Sequence, residues 1–242
     1  MSEKMLALVT GGGTGIGAAC VRELSRRGFR VGIHYRSSAA SAEALLAEIG
    51  DGFLLKADLA ETGQVEALVN ELKGITDRLD CLVNNAGVSI DLDMQRMRIE
   101  QFDAQRAGLR GVWLLTKRLL RQFMLRSGEG RIINISSVVG HTGNGGQIPY
   151  TMEKAALDAF TKSLCQELAG RNILVNSVAP GFIATEMTAR LPEEVKAGIL
   201  GKVPLGRMGR PEEVAEAVGF LATAGSYING TVIHVNGGLY GG

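Results

Sequence analysis

Short apolar runs alternate with amphipathic stretches along nearly the whole chain. Met5 to Thr10 is such a run, and it stops at glycines. Gly15 to Arg27 then reads as a helix, with Ile16, Ala19, Cys20 and Leu24 on one face. The alternation continues with a strand at Arg30–Tyr35, a helix at Ser41–Ile49, a strand at Phe53–Ala57, a helix at 61–73 and a strand at Asp80–Asn84. A long helix is predicted over 101–126, a strand over Arg131–Ser136 and a second long helix over 150–169. The strand Ile173–Val178, helical pieces near 192–200 and 211–222, and a strand at Thr231–Val235 close the series. Apolar runs with intervening helices imply right-handed β-α-β crossovers and a parallel sheet covered on both faces. The pattern predicts an α/β fold with a doubly wound, seven-stranded parallel sheet of Rossmann type. No linker or composition change divides it, so residues 1–242 read as one domain.

Composition narrows the function. About 45% of the 242 residues are hydrophobic, enough for a sizeable core, and the formal charge is +1. A balanced charge with 5% aromatic residues favours neither a nucleic-acid partner nor a membrane surface. Cys20, Cys81 and Cys165 are widely spaced, which suits core packing in a reducing compartment better than disulfides or zinc. His34, His141 and His234 are scattered without metal-ligand spacing, and no metal is expected. MSEKMLALVTGGG lacks a long apolar leader segment, so the expected location is cytoplasmic.

The turn after the first strand reads VTGGGTGIGAA. A dinucleotide pyrophosphate needs a tight turn and close backbone approach at a helix N-terminus, and glycine supplies both. Thr10, Gly11, Gly13, Thr14, Gly15, Ile16 and Gly17 are therefore candidate cofactor contacts. The second strand ends VGIHYRSS, with no carboxylate for a ribose hydroxyl between Glu23 and Glu43. Arg36 stands there instead, and a guanidinium suits a 2′-phosphate. NADP(H) is favoured over NAD(H).

Tyr150 and Lys154 are four residues apart on one predicted helix, hence on one face. Ser137 ends the preceding strand, and the glycine-rich loop between can fold back towards them. The three form a candidate catalytic set. A phenol with an ordinary pKa of about 10 needs a nearby positive charge to cycle its proton near neutrality. A serine hydroxyl can donate to a carbonyl oxygen as it gains charge.

These motifs resemble the short-chain dehydrogenase/reductase family over essentially the whole chain, and most closely its 3-oxoacyl-[acyl-carrier-protein] reductases. The family's T-G-x-x-x-G-x-G is Thr10, Gly11, Gly15 and Gly17. Its N-N-A-G is Asn84 to Gly87, its S…Y-x-x-x-K is Ser137, Tyr150 and Lys154, and its P-G-x-I-x-T is Pro180, Gly181, Ile183 and Thr185. GNGGQ and HVNGG resemble the carrier-protein branch in particular. The resemblance implies that Asp58 and Leu59 flank the adenine and that Asn85, Ala86 and Gly87 support the adenosine half. It also implies that Lys154 holds the nicotinamide ribose and that Pro180, Gly181, Ile183 and Thr185 line the nicotinamide.

The implied activity is NADPH-dependent reduction of a 3-oxoacyl thioester to a 3-hydroxyacyl thioester, as in fatty acid biosynthesis. The implied partner is an acyl carrier protein, and the implied assembly a homotetramer packed through the two long helices. The alternatives are a reductase of other ketones or polyketide-type chains, and a low-activity nucleotide-binding subunit partnered with an active paralogue. Trp113 reads as packing. Arg171, with Arg126 beside Glu129, stands near the starts of the fifth and sixth strands, where the family meets its acidic carrier. One position departs from the pattern. AGLRGVW places Gly108 where the family carries an asparagine that helps hold a water linked to the lysine. Three outcomes are open: another polar group replaces the amide, turnover is slow or needs a partner subunit, or the chemistry is lost.

Overall fold

The computed structural model describes residues 4–241. Residues 1–3 and 242 of the expected domain lie outside the described residues. Seven parallel strands form one sheet in the order β3-β2-β1-β4-β5-β6-β7. They are β1 (Leu6–Val9), β2 (Arg30–Tyr35), β3 (Gly52–Lys56), β4 (Cys81–Asn84), β5 (Glu129–Ile135), β6 (Asn172–Pro180) and β7 (Val232–Val235). This is the doubly wound sheet expected from the pattern. The strand order reverses between β1 and β4, which opens a crevice at their carboxyl ends.

Helices α1 (Gly15–Arg26), α2 (Ala39–Ile49) and α10 (Pro211–Thr223) cover one face of the sheet, burying Leu24, Ile33, Leu45, Val83 and Val218. Helices α3 (Thr62–Ile75), α4 (Ile99–Leu119) and α7 (Ile148–Glu167) cover the other, over Leu8, Leu55, Leu115, Ile132 and Leu164. Each fully buried leucine or isoleucine contributes about 1.5–3 kcal/mol from burial. Short helices α5 (Leu125–Ser127), α6 (Val139–Thr142), α8 (Glu186–Ala189) and α9 (Glu193–Leu200) complete the set.

The helix expected over 101–126 is interrupted. α4 passes into a π turn at Leu120–Met124, where the N–H of Leu125 donates to the Leu120 carbonyl. Leu119 and Met124 are five residues apart and both fully buried, a spacing the wider turn keeps on one side. Gly128, at φ 77°, then ends the helical stretch. Neither α6 nor α8 was expected; both are single turns too short for a periodic signal. No helix among the described residues is long and apolar enough to cross a membrane.

A buried polar chain ties both long helices to the sheet. Asn84 Nδ2 donates to Thr116 Oγ1 at 3.0 Å and to Asn134 Oδ1 at 2.8 Å. Asn134 Nδ2 donates to Thr161 Oγ1 at 2.8 Å, and Thr161 lies 2.8 Å from Ser177 Oγ. Hydrogen bonds between buried groups fix the α4 and α7 registers more narrowly than apolar contacts alone.

Candidate active site

The expected site residues gather along the carboxyl edge of the sheet, on the loops there, at the end of β6, in the first turn of α1 and on α7 beside them. The β1–α1 turn is pinned from three sides. Thr10 Oγ1 accepts the N–H groups of Asn85 and Ala86 at 2.9 and 3.0 Å. Asn85 Nδ2 donates back to the carbonyls of Thr10 and Gly11 at 2.9 and 3.2 Å. His34, buried in β2, accepts the N–H of Gly11 on Nδ1 at 3.1 Å, while its Nε2 lies 3.0 Å from the Ala57 carbonyl. That pair of bonds selects the Nε2–H tautomer. Burial pushes the imidazole below the usual histidine range, against the Ala57 hydrogen bond and the charge of Asp58.

Gly11 has φ +60°, and a β-carbon on Gly17 would lie 2.1 Å from the Gly11 carbonyl oxygen. Only glycine at both places lets α1 begin so close to the turn. Among the described residues, the N–H groups of Gly13, Thr14, Gly15, Ile16 and Gly17 make no hydrogen bond. They present open donors at the positive end of α1. Thr185, after β6, closes the other wall, its Cγ2 within 3.6 Å of where a Gly15 β-carbon would stand. Arg36 lies just past β2, more than half exposed, with Nη1 3.7 Å from Asp58 Oδ2. That separation is a loose ion pair, longer than a hydrogen bond, and leaves the guanidinium accessible to solvent. The residues fit a dinucleotide: a side-chain-free cradle, unpaired donors for a pyrophosphate, and a cation beyond the second strand.

The β5–α7 segment shows how Ser137 comes to the same place. Ser136 and Val138 donate their N–H groups to the Val178 and Pro180 carbonyls at 2.8 and 2.9 Å, so this loop follows the end of β6. A β-carbon on Gly140 would meet the Ala155 nitrogen at 2.9 Å. Glycine there lets α6 press directly on the α7 backbone beside Lys154. Lys154 is buried, and its Nζ donates to the Ile135 carbonyl at 2.9 Å, two residues before Ser137. The same ammonium lies 5.5 Å from the centre of the Tyr150 ring. Partly exposed Tyr150 thus sits over a buried cation, with the Ser137 loop folded against the same turn of α7.

Two site neighbours were not anticipated. Glu153 is buried, and its Oε2 accepts from Gln105 Nε2 at 2.6 Å. Gln105, fully buried, also donates to the Val88 carbonyl at 2.8 Å and accepts the Ile90 N–H at 3.0 Å. Burial raises the Glu153 carboxyl above the usual range, against the pull of Lys154 and the Gln105 hydrogen bond. The sequence signal was a glutamate directly before the lysine, on a helix otherwise read for its apolar face.

One expectation needs correction, that Trp113 packs, and the readings of the histidines and of the two arginines gain structural detail. Two histidines far apart in the chain meet in the fold: His141 and His234 have ring centroids 4.8 Å apart, and both pack on Tyr240. His141 Nε2 also lies 2.8 Å from buried Asp158, poorly aligned for a hydrogen bond. No group of three His, Cys, Asp or Glu among the described residues is arranged for a metal. Trp113 is half exposed rather than packed, beside a groove lined by Arg106, Leu109, Val112, Ala156 and Phe160, with Lys117 over its ring. Arg126 and Arg171 are exposed before β5 and β6, at the amino edge of the sheet. The length of β5 puts that edge about 20 Å from the site.

Fold and site together define a reductase of the nucleotide-binding α/β type. A family model described as enoyl-(acyl carrier protein) reductase matches residues 11–240. The chain belongs to the short-chain dehydrogenase/reductase family, oxidoreductases that interconvert a carbonyl and an alcohol with a nicotinamide cofactor. Within that family it is most like the 3-oxoacyl-[acyl-carrier-protein] reductases. It is 48% identical over 238 residues to the FabG protein of that name from Haemophilus influenzae, covering 97% of this chain and 98% of the relative. The FabG proteins of Aquifex aeolicus and Escherichia coli are 45% and 43% identical, with 97% and 98% of both chains covered. A crystal structure of a tryptophan variant of actinorhodin polyketide ketoreductase with NADPH superposes with a TM-score of 0.93 at 33% identity, covering 99% of each chain.

Proposed function

We propose that this protein reduces 3-oxoacyl thioesters to 3-hydroxyacyl thioesters with NADPH. The observation that carries the reading is the Lys154 ammonium, buried beneath the Tyr150 ring and anchored on the Ile135 carbonyl. When bound at this site, a reduced nicotinamide would supply the hydride. Tyr150 gives its phenolic proton to the substrate oxygen as that oxygen gains charge. The Ser137 hydroxyl donates a hydrogen bond to the same oxygen. Lys154 stabilises the negative charge left on the phenol oxygen, and the low local dielectric strengthens that interaction. The unpaired N–H groups of the β1–α1 turn hold the pyrophosphate, and Arg36 takes the 2′-phosphate.

Carrier-linked delivery is supported by the names of the FabG relatives. Arg126 and Arg171 lie at the far edge from this site, so a carrier docked on them would serve the site of a neighbouring subunit. The groove between α4 and α7, with half-exposed Trp113, supports a homotetramer joined through these helices. The likeness to the polyketide ketoreductase favours one second reading, a longer polyketide-type chain as substrate.

NADPH oxidation with a short 3-oxoacyl thioester, a trans-2-enoyl thioester and simple ketones tests the assignment. Turnover confined to 3-oxo substrates is the expected result. Reduction of the enoyl substrate alone would overturn it, and a strong preference for polyketide-type analogues would move it to the second reading.

A further inference from the structure

Gly108 and Glu153 are 45 positions apart in the chain and meet across α4 and α7. A β-carbon on Gly108 would stand 3.6 Å from Glu153 Oε2 and 3.8 Å from Oε1. The carboxylate therefore fills the space that any longer side chain at 108 would enter. It is also fixed from a second direction by the 2.6 Å hydrogen bond from Gln105, itself fastened to the Val88–Ile90 backbone. A β-carbon on Gly87 would lie 3.4 Å from Lys154 Nζ and 3.9 Å from Glu153 Oε1, so ammonium and carboxylate converge over one glycine.

We propose that Gly108 and Glu153 form a matched pair in which the small residue clears a volume and the clamped carboxylate occupies it as the counter-charge that positions Lys154. Glu153 is a positioning residue and touches no substrate. The proposal rests on the assignment of Tyr150 and Lys154 to the reaction above. It gives Gly108 a physical reason: an amide projecting from 108 towards the lysine meets the Glu153 carboxylate. The chain supplies a polar neighbour for Lys154 from α7, where the family pattern supplies one from α4.

The groups facing Glu153 are few. Lys154 is the charged one, on its own helix. α4 contributes neutral Gln105 and Gly108, and the segment after β4 contributes the Gly87 backbone and, through Gln105, the Val88 carbonyl. Removing the carboxylate thus changes one electrostatic partner of Lys154. Without it the site loses one negative charge, so the alkaline limb of a property that depends on the site's charge balance moves to lower pH.

The test compares wild type, Gly108→Asn, Glu153→Ala, the double variant and the near-isosteric Glu153→Gln. Each is assayed for kcat against pH and for NADPH affinity against pH by nicotinamide fluorescence. Gly108→Asn alone is expected to lower kcat roughly tenfold to a hundredfold by displacing the carboxylate. The double variant recovers most of that loss, because the vacated space accepts the amide. Glu153→Gln moves the alkaline limb of both profiles down by roughly half a unit to one unit. Additive losses in the double variant, or an unmoved limb in Glu153→Gln, would overturn the proposal. A wild type that reduces no 3-oxoacyl thioester defeats the functional assignment instead, and the affinity profiles then decide the pair. If Gly108→Asn fails to fold, Glu153→Gln decides alone.

Discussion

His34 Nδ1 accepts the backbone N–H of Gly11 at 3.1 Å, so a strand side chain holds the nucleotide turn in shape. The bond exists only while that nitrogen is unprotonated, and burial already pushes the imidazole below the usual histidine range. A histidine with a depressed folded value contributes stability that is full above its unfolded pKa of about 6.5. That contribution is lost as pH falls through the folded value. Replacing His34 by Ala is expected to cost about 1–3 kcal/mol in urea unfolding near neutrality, from the unpaired Gly11 N–H and Ala57 carbonyl. The gap between the two proteins should narrow towards about pH 5. An equal gap at both pH values would show that His34 acts only by filling space.

Arg36 offers a guanidinium more than half exposed and only loosely paired to Asp58. Replacing it by Ala removes charge-assisted hydrogen bonds of about 1.5–3 kcal/mol to a 2′-phosphate. Steady-state kinetics with both cofactors should show kcat/KM for NADPH falling roughly tenfold or more, with the NADH value little changed. Equal losses with both cofactors would assign Arg36 to adenosine packing rather than phosphate recognition.

Two glycines on α4, one turn apart, should respond oppositely to alanine. A β-carbon on Gly111 would lie 2.1 Å from the Leu59 carbonyl oxygen, a backbone atom that cannot move without shifting the end of β3. A β-carbon on Gly108 makes only ordinary contacts. Thermal unfolding of Gly108→Ala should match or exceed wild type, since alanine favours a helix interior by about 0.5–1 kcal/mol. Gly111→Ala should be strongly destabilised or insoluble. Equal melting temperatures for the two would contradict the packing of α4 on Leu59.

The sheet was legible because strands buried on both faces read as nearly continuous apolar runs, and the intervening helices admit one handed crossover. The turn glycines and the Tyr150–Lys154 spacing were legible because both lie within one local element. What escaped depends on partners distant in the chain. His34 alternates like any strand residue, and its role appears only where Gly11 comes within reach. Glu153 acquires its partner from Gln105, 48 positions earlier, through helix packing that no local period encodes. The Asn84–Asn134–Thr161 chain likewise joins residues whose polarity looked incidental to their elements. Arg126 and Arg171, which stand before β5 and β6 as read, are a different case. In a parallel sheet every strand start lies on the edge opposite the site, so their distance from it followed from the topology.

Single-turnover hydride transfer from bound NADPH to a short 3-oxoacyl thioester, wild type against Tyr150→Phe, tests the central claim most directly. In the proposed reaction the phenol is the proton donor, so its loss should slow transfer by about 10²–10⁴-fold while NADPH affinity is kept. A variant that transfers hydride at the wild-type rate would contradict the account.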